Sequence, residues 1–229
     1  MDFVAMGKFQ KATTAKWLES VPLKDFLVLW DEINIIHLSA FNDCLKNAKY
    51  ESDWQKFFEG IPILLLQHMN GGHGRWVIPQ KALGGEYRTD FIIGERDSDG
   101  FHWQAVELES HNAKCFTKKG DYTRELTHAI KQIEDWRSWI SDNIQYARNE
   151  RNKNGLGLTD IVSNIPGLII IGRRKDLLDR NKYKRRDIGN RLNIKIHTYD
   201  WLYEQAKARC QILNGINEED YKKLVEEEV

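Results

Sequence analysis

The chain has 229 residues, of which 41% are hydrophobic, and its 34 Lys and Arg residues balance 34 Asp and Glu residues. This length fits one domain with an appended segment, and the zero net charge gives no global reason to expect a nucleic-acid partner. Three widely spaced cysteines exclude a disulfide framework or zinc ribbon and favour a reduced, cytoplasmic protein. No apolar run approaches the ~18 residues of a membrane span, and the first residues lack a signal-peptide core, so we expect a soluble protein without a membrane partner.

Residues 1–48 carry two helical patterns and no chemical motif. Ser20 is a candidate cap for the second pattern, and Pro22 suits its first turn. Apolar residues then recur at helical spacing: Phe26, Leu29, Ile33, Ile36 and Ala40. We interpret residues 1–48 as an N-terminal helical segment that serves packing or a dimer contact.

Residues 51–66 form an amphipathic pattern with a break near Gly60-Ile61-Pro62. Glu51 begins this helix, where the helix dipole alone favours an acid, so a dipole role and a functional role are both open. The glycine-rich loop that follows contains His68 and His73. They indicate zinc only weakly, because the loop supplies no further ligand. A short strand over residues 77–80 is predicted next.

The central feature is a predicted β-hairpin with arms at Tyr87–Gly94 and Phe101–Leu108. Asp97-Ser98-Asp99-Gly100 supplies the turn chemistry between them. A turn centred between positions 98 and 99 pairs position 90 with position 107.

This register concentrates acids on one face of the hairpin. Asp90 lies opposite Glu107, and Glu109 shares the face of Glu107 because strand side chains alternate. Like charges placed opposite each other are destabilising, and a divalent cation such as Mg²⁺ or Mn²⁺ would relieve that repulsion. The alternative is a solvated acidic face. The alternating residues argue for a packed sheet, since all of them are apolar: Phe91, Ile93, Val106 and Leu108.

A polar loop containing Lys118 and Lys119 leads to a long helix that Asp121 or Thr123 caps and that ends near Asn143. Its predicted buried stripe comprises Leu126, Ile130, Ile133, Trp136 or Arg137, and Ile140. A neighbouring stripe presents His128 and Gln132 together, directly after the acidic hairpin. A lone histidine on a helix is more often a surface or packing residue, and the pairing with Gln132 keeps a functional role open.

The C-terminal third begins with Gly167–Gly172, an apolar run typical of a strand buried on both faces. The stretch Arg173–Arg186 follows at once with eight basic residues against two acids. Such a run is usually a solvated face, but its position after a central strand suits phosphates. Another strand is predicted over residues 193–198, and Asp200 is a candidate cap for a helix over residues 201–213.

The order of these elements resembles a restriction-endonuclease-like α/β core, in which helices flank a mixed central sheet. In that PD-(D/E)xK superfamily an acid on one strand and an (E/D)xK motif on the next bind Mg²⁺ and activate water. Asp90 and Glu107 match the first two positions. We therefore assign residues 49–215 to a nuclease-like domain and residues 216–229 to an acidic tail.

A closer resemblance rests on LGGEYRTDF, WQAVELES and CFTKKGDYTRELTHAIKQIEDWRSWI, with IIIGRRKDLL and IHTYDWL after them. Over roughly residues 51–206 these blocks are similar to the nuclease domain of the Shedu antiphage defence family. The resemblance implies a metal-dependent DNA endonuclease or nickase that acts on double-stranded DNA as a homo-oligomer, a dimer or a tetramer. It further implies that Mg²⁺ or Mn²⁺ is held by Asp90 and Glu107, with Glu51 as the acid of the first helix and Gln132 facing the site.

We expect His128 and Glu109 to complete the catalytic group. The candidate DNA-binding residues are the basic ones around it: Arg173, Arg174, Lys175, Lys118 and Lys119. One departure from the superfamily pattern is Glu109, which holds the usual lysine position. Lys118 or Lys119 could replace that lysine, Glu109 could bind metal or act as a base, or the site could be inactive. The N-terminal segment is also shorter than in many relatives, so the trigger differs or a partner supplies it.

Three hypotheses follow from these residues. The favoured one is a Mg²⁺-dependent DNA endonuclease. The second is the same fold with a degraded site, which binds DNA ends or a nucleotide without cutting. The third is a structural assembly protein whose acids form surface ion pairs with Arg88 and the loop lysines.

Overall fold

The computed structural model describes residues 23–70, 72–177, 181–216 and 220–221. Helix α1 (Ile35–Asn47) begins where the Asn34 side chain accepts a hydrogen bond from the backbone N–H of Ile36. The expected helix over residues 26–40 is therefore wrong in its first half. Leu23 has a left-handed backbone and Leu27 forms an isolated bridge to Trp76, so the chain joins the sheet edge before it turns into α1. Ser20 and Pro22 lie outside the described residues.

Helix α2 spans Glu51–Gly60, and a 3₁₀ turn at Pro62–Leu65 follows it. The predicted break before Pro62 is confirmed. Asp53 closes the start of α2, because its carboxylate accepts hydrogen bonds from the backbone N–H groups of Lys49 and Tyr50.

Five strands form the mixed central sheet, in the order β1-β4-β5-β6-β7. Their bounds are Arg75–Pro79 for β1, Phe91–Asp97 for β4, Gly100–Leu108 for β5, Gly167–Ile170 for β6 and Ile194–His197 for β7. The pairs β1/β4 and β4/β5 are antiparallel, whereas β5/β6 and β6/β7 are parallel. The α/β class and the mixed central sheet are confirmed.

The hairpin register is confirmed, since Phe91 pairs with Val106 and Asp97 with Gly100. The first arm, however, begins at Phe91 rather than Tyr87. Residues Tyr87–Arg88 (β3) pair with Ala82–Leu83 (β2) in a separate two-stranded sheet. Asp90 therefore lies at the entry to β4, where its backbone carbonyl accepts the N–H of Gln80.

Helices cover both faces of the sheet. Helices α1 and α2, with α6 (Tyr199–Asn214), pack on the apolar face formed by Phe91, Ile93, Val106 and Leu108. The long helix α3 (Arg124–Asp142) packs on the other face, over Ile92, Ala105 and Ile169. The described part of the N-terminal segment thus contributes to the same core as the rest of the chain.

Helix α3 begins as predicted, with Thr123 as its cap, because Thr123 Oγ1 accepts the N–H of Leu126. Trp136 belongs to the buried stripe, while Arg137 donates to the backbone carbonyls of Ile165, Leu192 and Asn193.

Two shorter helices complete the fold, α4 (Ile144–Arg148) and α5 (Lys182–Leu192). The predicted capping of α6 by Asp200 is wrong. Thr198 directly follows β7 and accepts the N–H of Trp201, so Asp200 already lies in the first turn of the helix. None of the described helices is long and apolar enough to cross a lipid bilayer.

Candidate metal centre

Three predicted acids meet where β5 ends, on the face of the sheet that α3 covers. Glu107 is 1% exposed and Glu109 is 6% exposed, so both carboxyls are withdrawn from water. The alternative of a solvated acidic face is therefore wrong for these two residues. The sheet places them there because Glu107 pairs laterally with Ile169 of β6, and Glu109 N–H donates to the carbonyl of Ile170.

Helix α3 brings both of its candidate residues to the acids. Gln132 Nε2 donates to Glu107 Oε1 at 2.7 Å, and His128 Nδ1 lies 3.3 Å from Glu109 Oε1. A spacing of four residues places the two side chains on one helix face, and alternation along β5 gives the two acids a shared face. Each polar residue of α3 therefore contacts one acid of β5.

Asp90 completes the acidic group from the entry to β4. Its Oδ2 accepts the backbone N–H of Leu108 at 2.8 Å, and its charge acts directly on Glu107, whose pKa it raises. Glu107 Oε2 is buried and accepts no hydrogen bond from any donor among the described residues.

Burial and mutual repulsion raise the pKa values of these acids. Burial is the largest cause for each, raising the pKa of Asp90 to about 6, that of Glu109 to about 7 and that of Glu107 to about 10. The Asp90 charge further raises the pKa of Glu107, and hydrogen bonds from Leu108 N–H, Gln132 and His128 act in the opposite direction. The cluster therefore favours a proton or a cation over three free charges.

Glu51 is the fourth acid of the neighbourhood. Its charge raises the pKa values of Asp90, Glu107 and Glu109, and its own pKa is raised by burial. Helix α2 holds it beside the site, because Gln55, one turn further on, donates to the backbone carbonyl of Asp90 at 3.4 Å. The helix dipole alone could explain an acid at the start of α2, but Glu51 also lies beside the acidic cluster.

A metal ion fits this arrangement. Glu107, Glu109 and His128 each offer a ligand atom, and these atoms lie within 4.8 Å of one another. A cation would give the buried Oε2 of Glu107 a partner and would lower the raised pKa values of the acids. The two carboxylates suit a hard divalent ion such as Mg²⁺ or Mn²⁺, whereas an imidazole nitrogen is a more usual ligand of Zn²⁺, Fe²⁺ or Ni²⁺. His68 and His73 belong to no such group among the described residues, and His68 Nε2 instead lies 3.0 Å from Gln104 Oε1.

The five candidate DNA-binding residues divide into two sets. Arg173 forms a bidentate ion pair with Asp200, and Arg174 pairs with Glu204. The others lie on exposed segments: Lys118 and Lys119 on the loop after β5, and Lys175 beyond β6.

A cleft of about 510 Å³ brings Lys118 and Lys175 together, with Lys114 beside them. Because the loop after β5 and the segment after β6 both leave the carboxyl edge of the sheet, two stretches distant in sequence meet there. The cleft therefore gathers three cations at the edge of the sheet that also carries the acids.

Sequence reasoning missed a row of aromatic and imidazole groups behind the site. Tyr199 donates from its hydroxyl to the backbone carbonyl of Glu109 at 2.8 Å, and Trp54 Nε1 donates to His111 Nδ1 at 3.0 Å. The rings of Trp54 and Tyr199 have centroids 4.0 Å apart. These contacts fix the backbone that carries Glu109. Only the position of Tyr199 just before the helix predicted over residues 201–213 could have indicated them.

The fold and the acidic cluster agree with a comparison against protein families. The family model described as Shedu protein SduA, C-terminal, matches residues 48–203, about two thirds of the chain. The chain belongs to the Shedu family. Membership of the Shedu family implies a role in antiphage defence. No curated protein matches the sequence.

Proposed function

We propose that this Shedu family member is a divalent-metal-dependent DNA endonuclease or nickase of antiphage defence. The observation that carries the proposal is the buried Oε2 of Glu107, which faces no donor in the described chain while Asp90 and Glu109 lie beside it. Proteins seldom bury a polar oxygen without a hydrogen-bond partner, because the lost hydration is then not replaced. A bound cation would supply the partner that Oε2 of Glu107 lacks.

Asp90, Glu107 and Glu109 would hold Mg²⁺ or Mn²⁺, and Glu51 would serve as a further acid at the edge of the site. Gln132 orients Glu107, because its N–H group occupies Oε1 and leaves Oε2 for the ion. When bound, the divalent cation supplies charge neutralisation at the scissile phosphate and lowers the pKa of the attacking water.

We assign the role of the missing lysine to His128. It contacts Glu109, the residue that holds the lysine position, and its side chain is 62% exposed, so a proton can pass to solvent. With Nδ1–H donated to the Glu109 carboxylate, Nε2 is the nitrogen that accepts a proton from water. After burial, the pKa values of Asp90, Glu107 and Glu109 are shifted by neighbouring carboxyl groups, the N–H of Leu108, Gln132 and His128.

We further propose that the substrate is double-stranded DNA and that the chain works as a homo-oligomer. Lys118, Lys119 and Lys175 are the proposed phosphate contacts, and Arg173 and Arg174 remain proposed contacts although each has an acidic partner. Association is supported by apolar side chains that reach solvent where α1 begins and α6 ends: Ile36, Ile212 and Leu213. These two ends adjoin, since Asn214 Nδ2 donates to the carbonyl of Ile33.

A second candidate is a nuclease fold that binds DNA ends or a nucleotide without cutting. Glu109 favours it, because an acid replaces the lysine that orients water in the superfamily pattern. DNA binding that survives EDTA without any cleavage would support this alternative.

The test is nicking of supercoiled plasmid in Mg²⁺, Mn²⁺ or EDTA by the wild type, Glu107→Ala and Glu109→Ala. Exposed Glu86 provides the matched control, Glu86→Ala. We expect metal-dependent nicking that Glu107→Ala and Glu109→Ala both lose and the control keeps. Loss in Glu107→Ala alone would assign the water-orienting role to a lysine. Binding without cutting in every metal would establish the second candidate.

A further inference from the structure

A basic groove runs between helix α5 and strand β7, on the sheet edge away from β1. It has a volume of about 720 Å³. Four cationic side chains line it: Lys182, Arg185 and Arg186 from α5, and Lys195 from β7. None of the described residues that line the groove is an acid. The groove is therefore a concentrated positive surface on a chain whose net charge is zero.

The helix spacing explains why these charges converge. Lys182, Arg185 and Arg186 lie three and four residues apart, so they share one face of α5, and Ile188 on another face anchors the helix in the core. Asp187 on the same helix pairs with Arg191 at 3.0 Å instead of neutralising the groove. The positive field also reaches His197 at the end of β7, whose pKa falls to about 3 through burial and the charges of Arg185 and Lys195.

The register connects the groove to the acids. Glu107 of β5 pairs with Ile169 of β6, and Ile169 pairs with Ile196 of β7, which lines the groove. Neighbouring strands are about 4.8 Å apart, so the groove lies roughly 10 Å from the backbone of Glu107. Lys195 alternates with Ile196 and so projects to the other face of β7, the edge strand. A duplex that passes around this edge, with one phosphate at the acids, would place further phosphates within reach of α5.

We infer that the groove between α5 and β7 binds the phosphate backbone of the DNA whose cleavage we propose, and so forms a second contact surface beside the acidic cluster. This inference rests on the proposed function. The cations would pair with phosphates of the duplex. Lys195 and the α5 cations belong to no part of the proposed reaction, so they act in binding alone.

The test compares Arg186→Glu with Lys195→Glu, made together, against Lys46→Glu with Lys56→Glu. All four residues are exposed, and the control pair lies on α1 and α2 with the same change of net charge. Binding of a labelled duplex is measured by fluorescence anisotropy over a potassium chloride series in EDTA. We expect the groove variant to bind at least about tenfold more weakly than the wild type. The slope of log affinity against log salt should become less negative by about 2, because two phosphate contacts are lost. The control should match the wild type.

Other outcomes separate this inference from the proposed function. Groove and wild-type proteins with equal affinity and slope would overturn the inference, while plasmid nicking by both would leave the nuclease proposal intact. A wild type that neither binds nor nicks DNA would overturn both. Binding of a poly-glutamate peptide that the groove variant loses, with DNA binding unchanged, would assign the groove to an acidic protein segment and overturn the DNA assignment. Arg186→Ala with Lys195→Ala repeats the comparison without reversed charges if the first variant unfolds.

Discussion

Replacing Glu109 with glutamine should stabilise the protein when no metal is present. Glu109 is 6% exposed, and burial with the neighbouring acids raises its pKa from the ordinary 4.5 to about 7. In the folded state it keeps its proton over a pH range in which the unfolded chain has lost it. The metal-free wild type therefore loses stability as the pH rises from about 4.5 to about 7.

The magnitude follows from the pKa values. Each pKa unit corresponds to about 1.4 kcal/mol, so a rise from 4.5 to about 7 costs the fold roughly 3 kcal/mol at pH 8. Glutamine keeps the size and hydrogen-bonding capacity of the side chain and removes this cost. Glu109→Gln should then be more stable than the wild type by about 3 kcal/mol at pH 8, which corresponds to a melting temperature higher by about 6–12 °C.

Urea unfolding in EDTA at several pH values measures this difference. The gap between variant and wild type should be small near pH 5 and should widen by about 1.4 kcal/mol per pH unit up to about pH 7. Exposed Glu86→Gln serves as the control and should follow the wild type. Added Mn²⁺ should stabilise the wild type more than Glu109→Gln, because the variant has lost a ligand. If Glu109→Gln is less stable than the wild type at every pH measured, the buried carboxyl of Glu109 does not destabilise the metal-free fold.

Three further predictions concern the partners of the acids and of the basic stretch. His128→Gln should abolish nicking while retaining most of the Mn²⁺-induced rise in melting temperature, and loss of both would make His128 a metal ligand instead. Gln132→Ala should weaken Mn²⁺ binding about 10–100-fold, measured by calorimetry, because Gln132 orients Glu107 through a 2.7 Å hydrogen bond. Arg173→Ala should cost about 1–2 kcal/mol in urea unfolding, since it leaves the half-buried Asp200 without its cationic partner, and unchanged stability would show that this ion pair is dispensable.

The acidic cluster could be predicted from local signals in the sequence. The turn residues at positions 97–100 fix the hairpin register, and the register alone places Asp90 against Glu107. The spacing of His128 and Gln132 likewise follows from helix geometry. What the sequence could not provide is the docking of α3 on the sheet, which decides that His128 meets Glu109 and Gln132 meets Glu107.

Tertiary contacts explain why the expected helix around Leu29 and the expected strand start at Tyr87 are wrong. The apolar pattern around Leu29 suits a helix, but Leu27 bridges to Trp76 at the sheet edge and interrupts it, leaving Leu29 44% exposed. Tyr87 and Arg88 have strand-forming character, yet they pair with β2 because the chain turns at Gln80, which has a positive φ. Charge counting along the chain could not show that Asp200 and Glu204, on α6, engage the first two arginines of the basic stretch.

Binding of Mn²⁺ to the metal-free protein decides whether the buried acids form a metal site. Isothermal titration calorimetry of the wild type and Glu107→Ala gives the stoichiometry and affinity for the ion, independently of any DNA substrate. We predict at least one bound Mn²⁺ per wild-type chain, accompanied by proton release because the pKa values of Glu107 and Glu109 are raised. We also predict that Glu107→Ala loses this binding. Equal Mn²⁺ binding by the two proteins, or none by the wild type, would show that Glu107 holds no metal ion.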